Sequence, residues 1–239
     1  MSSKTETNEE SMKLAENYRK GRKISGNKIV IVRQNGIEEE VTKYQNLCVH
    51  YTGENSIVIF HEPIQLKNML NIYCGENTFI EFGKNLIIRH SVQLTAFGSK
   101  NSKNTTIIFG DNCSLGSGLY ECGDESDLEL IVGNDFLSSN EIYLKISDAH
   151  TILDATTKEI INKPLFGCHI GDHVWLGHHV SILKDVEIPN NCIVGASAVV
   201  GKKQFEPNSI IAGVPAKTIR TGVNWDSQAI CQYETLNPN

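Results

Sequence analysis

Among the side chains able to do acid–base chemistry, one histidine follows an aspartate by two residues. The pair is Asp148 and His150, in the segment SDAH at 147–150. An imidazole titrates near neutral pH, so it can take a proton from a weak nucleophile such as a hydroxyl. In an extended segment both side chains project to one side, where the carboxylate could hold the imidazole tautomer or shape an acceptor site. The alternative is a solvated pair in a polar turn.

A second set of residues suits a phosphorylated ligand. The chain is acidic, with a formal net charge of −6, yet four basic residues are concentrated near the end of its repetitive region. Each one alone is more simply a solvated charge, whereas the set indicates a local basic patch. Its members are Lys202, Lys203, Lys217 and Arg220.

The composition argues against several classes of protein. With 40% hydrophobic and 21% charged residues the 239-residue chain is of ordinary globular type, and its negative charge disfavours a nucleic-acid binder. No apolar stretch approaches the roughly 20 residues of a membrane span, and residues 1–23 contain no signal peptide. The seven cysteines are scattered without a C-x-x-C pair, which disfavours a zinc knuckle or a disulfide framework. We therefore expect a protein of the reducing cytoplasm.

The strongest pattern is a period of six over residues 170–204. Aliphatic residues recur at every sixth position, glycine follows most of them, and a small or β-branched residue lies four places after each of the first five. This period fits neither an α-helix nor a two-residue alternation, but it fits short strands and corners around a prism with aliphatic side chains stacked inward. We expect two coils of about 18 residues, with glycine adopting unusual backbone angles at the corners. The aliphatic positions are Ile170, Leu176, Ile182, Ile188, Val194 and Val200.

The same spacing recurs less regularly upstream. Polar insertions at 99–105 and 121–127 are interpreted as loops between coils. The coils are therefore expected from about residue 50 to about residue 215, within a domain at 50–220. Residues 1–49 are expected to form an extension with a helix over 11–23 and strands over 28–32 and 38–41 around the turn Asn35-Gly36. Residues 221–239 form a tail, and the segment after Val214 is expected to cap the open sheet edge.

Four motifs in the second half of the chain are more specific than the repeat. They are SDAH at 147–150, followed by a loop and Ile161-Asn162, then IGDHVWLG at 170–177, VGASAVVGKK at 194–203 and AGVPAK at 212–217. With these motifs the chain resembles the hexapeptide acyltransferases, and most of all the bacterial O-acetyltransferases of sugars and capsular polysaccharides. The resemblance is strong over 147–220 and weak before it. It implies an all-β fold, a left-handed parallel β-helix with a projecting loop, which is an exception to the right-handed crossover rule.

The resemblance also implies acetyl-CoA as the acyl donor and assigns roles to matching residues. His150 occupies the position of the catalytic general base, with Asp148 as its neighbour. Gly177 closes the Trp-x-Gly unit, and the next residue, His178 where serine is commoner, lies by the thioester. The positions that line the coenzyme A groove are occupied here by Ala196, Gly201, Lys202, Lys217 and Arg220.

Coil geometry predicts that Trp175 belongs to the same catalytic site. Trp175 follows His150 by 25 residues, which is one coil of about 18 residues plus an excess that the non-repetitive segment 153–166 can absorb. We therefore expect the indole to lie near His150, where it could wall the acceptor pocket or offer its N–H. Simple surface packing is the alternative.

Other functions share the repeat. A γ-type zinc carbonic anhydrase uses the same helix, but Leu183 stands where its second histidine is expected. A nucleotidyltransferase is not favoured, since no glycine-rich nucleotide-binding domain precedes the helix in this sequence. A non-catalytic β-helix and an N-acetyltransferase of an amino-sugar nucleotide stay open. Acyl-enzyme chemistry is not favoured, because no cysteine neighbours a histidine in a motif.

The sequence therefore predicts a cytoplasmic, homotrimeric, acetyl-CoA-dependent O-acetyltransferase. It would transfer the acetyl group directly to a sugar hydroxyl of a cell-surface polysaccharide or its precursor, with His150 as general base. Donor and carbohydrate acceptor are expected to meet in a cleft between adjacent copies. We expect no metal, no nucleic-acid partner and no membrane span.

Overall fold

The computed structural model describes residues 17–19, 22, 24–98 and 102–236. Most of the described chain forms short strands that wind around a prism, as the period of six predicts. Strands of successive coils pair in parallel, and they build three sheets, one on each face. Each complete coil passes the first, second and third face in turn.

The strands are numbered in chain order. The first face contains β1 (Lys28–Val32), β2 (Glu38–Val41), β4 (Ile57–His61), β7 (Phe79–Phe82), β10 (Thr106–Phe109), β13 (Glu129–Val132), β16 (Gly167–Ile170) and β19 (Val186–Ile188). The second contains β5 (Ile64–Leu66), β8 (Leu86–Ile88), β11 (Ser114–Leu115), β14 (Leu137–Ser138), β17 (Trp175–Leu176), β20 (Ile193–Val194), β22 (Ser209–Gly213) and β23 (Ala216–Thr221). The third contains β3 (Leu47–Tyr51), β6 (Leu70–Cys74), β9 (Val92–Ala96), β12 (Gly118–Glu121), β15 (Ile142–Lys145), β18 (Ser181–Ile182) and β21 (Val199–Val200).

The interior of the prism is filled by the aliphatic residues of the repeat and by a column of aromatic rings. The predicted inward positions between Ile170 and Val200 are at most 3% exposed. In the earlier coils Phe60, Phe82 and Phe109 stack on one another with ring centroids 4.8 and 5.3 Å apart. Burying one such side chain stabilises the fold by roughly 1.5–3 kcal/mol. The ladder of equivalent positions is thus the main source of stability.

Glycine is required at the corners for a different reason from the one predicted. Gly171 and Gly177 do not have positive φ; the left-handed residues of these corners come two places later, at His173 and His179, with φ of 55° and 58°. A Cβ on Gly171 would lie 2.8 Å from the backbone nitrogen of Asn190 in the next coil. The glycines therefore permit close stacking of coils, and the expectation of unusual angles at these positions was wrong.

The stacked coils begin earlier than predicted. β1 and β2 form the expected antiparallel pair, but β1 also pairs in parallel with β4, so the stack begins at Lys28 rather than near residue 50. The hexapeptide count misses this coil because the hairpin lengthens it: Lys28 pairs with Ile57. The division of the chain into separate domains at residues 49 and 220 stays a prediction.

The N-terminal segment contacts the outer side of the first face. Residues 17–19 are helical. The Arg19 guanidinium lies 5.9 Å from the centre of the Phe79 ring, and it donates to Thr106 Oγ1 and to the carbonyl of Thr105, both at 2.9 Å. Of the rest of the helix predicted over 11–23, Arg22 is not helical and the other residues lie outside the described part of the chain.

The C-terminal segment covers the end of the second sheet, whereas β19 and β21 are the terminal strands of the first and third sheets, so the expected cap is formed on one face only within the described residues. β22 and β23 form an antiparallel pair on the second face. Trp225 then reaches the corner between the first and second faces, where its ring stacks on His173 at 4.2 Å and its Nε1 donates to the His173 carbonyl at 2.8 Å. A short helix, Ile230–Leu236, follows and buries none of its residues. Within the described residues no helix has the length and apolar character to cross a membrane.

Candidate active site

The loop between β15 and β16 carries His150 and leaves the prism at the corner between the third and first faces. Paired residues on the first face are 18 positions apart in the regular coils but 38 apart here. The excess forms the projecting loop that the sequence predicts. The loop folds back on itself through a bridge between Leu153 and Ile160.

The backbone of His150 is held while its imidazole is free. Asn162 Nδ2 donates to the His150 carbonyl at 2.8 Å, and the Ile152 amide donates to Asn162 Oδ1 at 2.8 Å. The preceding residue, Ala149, has a φ of 61°, which turns the chain sharply. The His150 side chain is exposed. Its ring makes no hydrogen bond to another described residue and is therefore available to take a proton.

Asp148 anchors the loop rather than the imidazole. Its Oδ2 accepts hydrogen bonds from Lys184 Nζ and, at 2.8 Å, from Asn162 Nδ2. The hydrogen bond from Lys184 lowers the pKa of the Asp148 carboxyl below its ordinary value. The extended segment predicted to align Asp148 with His150 is interrupted by the left-handed turn at Ala149. No hydrogen bond joins the Asp148 and His150 side chains in the described structure. The prediction that Asp148 orients the imidazole was therefore wrong.

Two residues of this cluster received no role in the sequence analysis. Asn162 belongs to a quoted motif, and Lys184 was not singled out. Lys184 Nζ donates to the Asn162 carbonyl at 2.7 Å as well as to Asp148. The register of the coils could have predicted the position of Lys184. Leu144 pairs with Ile182, so Lys184, two residues later, lies directly above the start of the loop.

A pocket of about 320 Å³ opens beside His150. One wall is residues 125–128 of the coil below, and the loop supplies the others. Asp127, Asn162 and Lys163 contribute polar side chains that suit a ligand rich in hydroxyl groups. The volume lies at the lower end of the range of about 300–1,000 Å³ that is usual for small-molecule sites.

Trp175 does not share this pocket within the chain. It lies on the second face, where it pairs with Leu137 and Ile193, while the His150 loop leaves the corner between the other two faces. Its Nε1 is 3.4 Å from Ser139 Oγ, and the residue is 37% exposed. The prediction of contact with His150 was wrong for a single chain, because the residue count does not specify at which corner the loop leaves the coil.

Of the predicted donor residues of the repeat, Gly177, His178 and Ala196 lie at the corner between the second and third faces, whereas Gly201 follows β21 at the corner between the third and first faces, where the His150 loop leaves. A Cβ on Gly177 would meet the backbone nitrogen of Ala196 at 2.7 Å, so these two residues stack closely in consecutive coils. Ala196 is exposed, and a Cβ on Gly201 would meet open space. Both leave room for a ligand along the surface. His178 follows Gly177 and has an exposed side chain.

The predicted basic residues are divided between two faces. Lys202 follows β21 on the third face, with its Nζ 3.9 Å from Asp185 Oδ2. Lys217 and Arg220 lie on β23, the edge strand of the second face. All three are exposed. Within one chain they do not make a single phosphate-binding cluster.

One cysteine does lie beside a histidine, contrary to the sequence analysis. Cys48 Sγ is 3.2 Å from His50 Nε2 on β3. β3 is four strands from β15 in the third sheet, a separation of roughly 19 Å at the usual strand spacing. The pair is therefore remote from His150 and its pocket.

Comparison with known proteins agrees with this architecture. A family model described as bacterial transferase hexapeptide (six repeats) matches residues 167–202. The chain is 28% identical over 155 residues to the putative lipopolysaccharide biosynthesis O-acetyl transferase WbbJ of Escherichia coli K12, covering 62% of this chain and 74% of that protein. It is 30% identical over 117 residues to the galactoside O-acetyltransferase of the same strain, covering 47% of this chain and 55% of that protein.

Two solved structures have the same fold. The polySia-specific acetyltransferase NeuO aligns with a TM-score of 0.53 at 21% identity over 86% of this chain and 87% of its own. The polysialic acid O-acetyltransferase OatWY aligns with a TM-score of 0.51 at 24% identity over 89% and 93%. These likenesses confirm the left-handed parallel β-helix.

Proposed function

We propose that the chain is a hexapeptide-repeat acyltransferase, which it resembles in its repeats and in its relatives, and that it transfers an acetyl group from acetyl-CoA to a sugar hydroxyl of a cell-surface polysaccharide or its precursor. The proposal rests on the geometry of His150. Asn162 holds its backbone by a hydrogen bond to its carbonyl, while its imidazole has no bonded partner among the described residues and lines a polar pocket. The relatives named as O-acetyltransferases support transfer to oxygen.

In the proposed reaction His150 removes the proton of the acceptor hydroxyl as its oxygen attacks the thioester carbonyl carbon. The tetrahedral intermediate collapses with cleavage of the carbon–sulfur bond, and the imidazolium returns the proton to the departing thiolate of coenzyme A. Transfer is direct, without an acyl-enzyme. Asp148, Asn162 and Lys184 hold the loop that presents the imidazole.

The donor would lie along the surface of the last coils. The open space at Ala196 and Gly201 suits the pantetheine arm, and exposed Lys202, Lys217 and Arg220 suit its phosphates. Ala196, Lys217, Arg220 and Trp175 lie away from the His150 corner of the same chain, while Gly201 and Lys202 lie at that corner. We therefore propose that a site is completed by two copies. A cyclic trimer provides three such junctions.

The proposal is tested by replacing His150 with alanine. Turnover should fall by roughly 100-fold or more, the usual effect of losing a general base, while acetyl-CoA affinity stays near that of the wild type. Release of coenzyme A with a panel of glycans, and mass spectrometry of the product, measure both the rate and the acceptor.

His90→Ala is a matched control, because His90 is exposed and lies outside the pocket. It should retain wild-type turnover. Retained activity in His150→Ala would contradict the role of His150, and product acetylated only on nitrogen would contradict O-acetyl transfer.

A further inference from the structure

A second group of chemically able side chains lies at the corner between the second and third faces. Glu141 and His179 hold equivalent positions in successive coils, and both have left-handed backbones, with φ of 59° and 58°. The His179 amide donates to the Asn140 carbonyl at 3.1 Å, so the two corners stack directly. Equivalent positions one coil apart place their side chains next to each other.

His178 completes a group of three. Glu141 Oε2 is 2.8 Å from His179 Nε2 and 3.9 Å from His178 Nε2. The two imidazoles meet edge to face with centroids 4.1 Å apart. Each residue has a ligand atom within 4.8 Å of the others, and among the described residues no other set of three does.

A simple ion pair explains this group poorly. All three side chains are about half exposed, and exposed pairs add only about 0–1 kcal/mol. Such a pair would need one imidazole, yet two converge on the same carboxylate. Two protonated imidazoles at this distance would repel each other, whereas two neutral ones offer nitrogen lone pairs.

The distances suit a transition metal ion. Ligand atoms about 2.0–2.2 Å from tetrahedral zinc are roughly 3.3 Å from one another. The separations of 2.8 and 3.9 Å from the carboxylate lie on either side of that value, and all three ligand atoms lie within 4.8 Å of one another, so side-chain rotations would bring them to a common ion. Two histidines and one glutamate are a known zinc ligand set, with the fourth position open to water.

We propose that Glu141, His178 and His179 bind one Zn²⁺, or a similar divalent transition metal ion that prefers imidazole ligands. The proposal departs from the expectation that the protein uses no metal, and it does not depend on the proposed acetyl transfer. The ion would sit beside Gly177 and Ala196, on the surface where the acyl donor is expected.

Zinc titration of the full-length protein, first freed of metal by dialysis against a chelator, tests the site. Calorimetry and competition with a chromophoric chelator should give one Zn²⁺ per chain. Glu141→Gln, His178→Ser and His179→Asn should each weaken binding by at least about tenfold, since each removes a direct ligand. Asparagine is chosen at 179 because it tolerates a left-handed backbone.

His90→Ala is the control, since His90 is an exposed histidine at the same corner, three strands away on the second face. It should bind zinc like the wild type, and Mg²⁺ should not compete, because hard cations take oxygen ligands. Melting temperatures verify that each variant is folded. The proposal is overturned if the wild type binds no Zn²⁺, if folded variants bind it as tightly as the wild type, or if Mg²⁺ competes equally.

Discussion

At the scale of single residues, the candidate site depends on one asparagine whose side chain makes three hydrogen bonds. Asn162 donates to Asp148 and to the His150 carbonyl, and it accepts from the Ile152 amide. These bonds tie the two ends of the projecting loop together. They leave the exposed His150 imidazole unbonded on a fixed segment, which is the arrangement that a general base needs.

Asn162→Ala should therefore lower kcat while leaving the KM for acetyl-CoA unchanged. We expect a loss of roughly tenfold, less than for His150→Ala, because the base is displaced rather than removed. Steady-state kinetics, with the acceptor found in the glycan panel, measures both kcat and the KM for acetyl-CoA.

Asn112→Ala is the control for that experiment. Asn112 Nδ2 donates to Asp135 in a polar ladder at another corner, so the variant loses a comparable bond outside the pocket. Equal losses of kcat in both variants would show that Asn162 acts through stability alone.

The ion pair of Asp148 and Lys184 predicts a pH dependence of stability. The pKa of Asp148 is lowered in the folded state, so the pair stabilises the fold above the unfolded value of about 3.9 and loses that effect as pH falls through the lower folded value. Lys184→Met should lower the free energy of unfolding at pH 7. The loss should not exceed about 1 kcal/mol, since the Asp148 side chain is 40% exposed.

Urea unfolding at pH 7 and pH 3 measures this difference. The gap between wild type and Lys184→Met should narrow at pH 3, and Lys203→Met, which removes an exposed lysine without a carboxylate partner among the described residues, should show no gap at either pH. If the difference in unfolding free energy between the wild type and Lys184→Met grew as the pH falls, the predicted direction of the pH dependence would be wrong.

At the scale of elements, the spacing between coils decides which residues can stand at a corner. Gly171 leaves no room for a Cβ, because the backbone nitrogen of Asn190 in the next coil lies 2.8 Å from the position that the Cβ would occupy, whereas Gly201 has open space. Two glycines at the same position of the hexapeptide repeat therefore have different structural importance.

Gly171→Ala should destabilise the fold by about 1–3 kcal/mol, the usual effect of overpacking. Gly201→Ala should change stability by less than about 0.5 kcal/mol, as for an ordinary surface substitution. Denaturant unfolding of both variants measures the contrast. Equal stability of the two would show that the coils adjust their spacing freely.

At the scale of the whole molecule, the proposed general base and the tryptophan predicted beside it lie on different sides of one prism. His150 belongs to the corner between the third and first faces, while Trp175 lies on the second face. A site that uses both must draw them from two copies of the chain, which makes the assembly testable without a structure of the complex.

Mixing two inactive variants should restore activity. When His150→Ala and Trp175→Ala chains are unfolded together and refolded at equal amounts, about one quarter of the junctions in random cyclic trimers contain both intact residues. Activity should recover to about that fraction of the wild type, and sedimentation should show a trimer. If trimers that are verified to contain both variants recovered no activity, the proposal of a site shared between two copies would be contradicted.

The periodic part of the fold could be predicted well because every coil obeys one rule. Inward aliphatic residues such as Leu176 and Ile182 recur at a spacing that only a repeated strand and corner can satisfy, and they are buried as expected. The hairpin of β1 and β2 was equally clear from its turn. The first coil was missed because that hairpin interrupts the count, and repeats are recognised only by their regularity.

The sequence by itself determined the β-helix, the projecting loop and the presence of His150 on it, since these depend on local spacing and short motifs. Only the tertiary structure decided the neighbours of each side chain. It joined Asp148 to Lys184, separated Trp175 from His150, and brought Glu141 beside His178 and His179. The physical reason is that contacts between coils depend on the length of every intervening loop. A loop of irregular length changes which residues of neighbouring coils face each other, and the hexapeptide pattern does not encode that change.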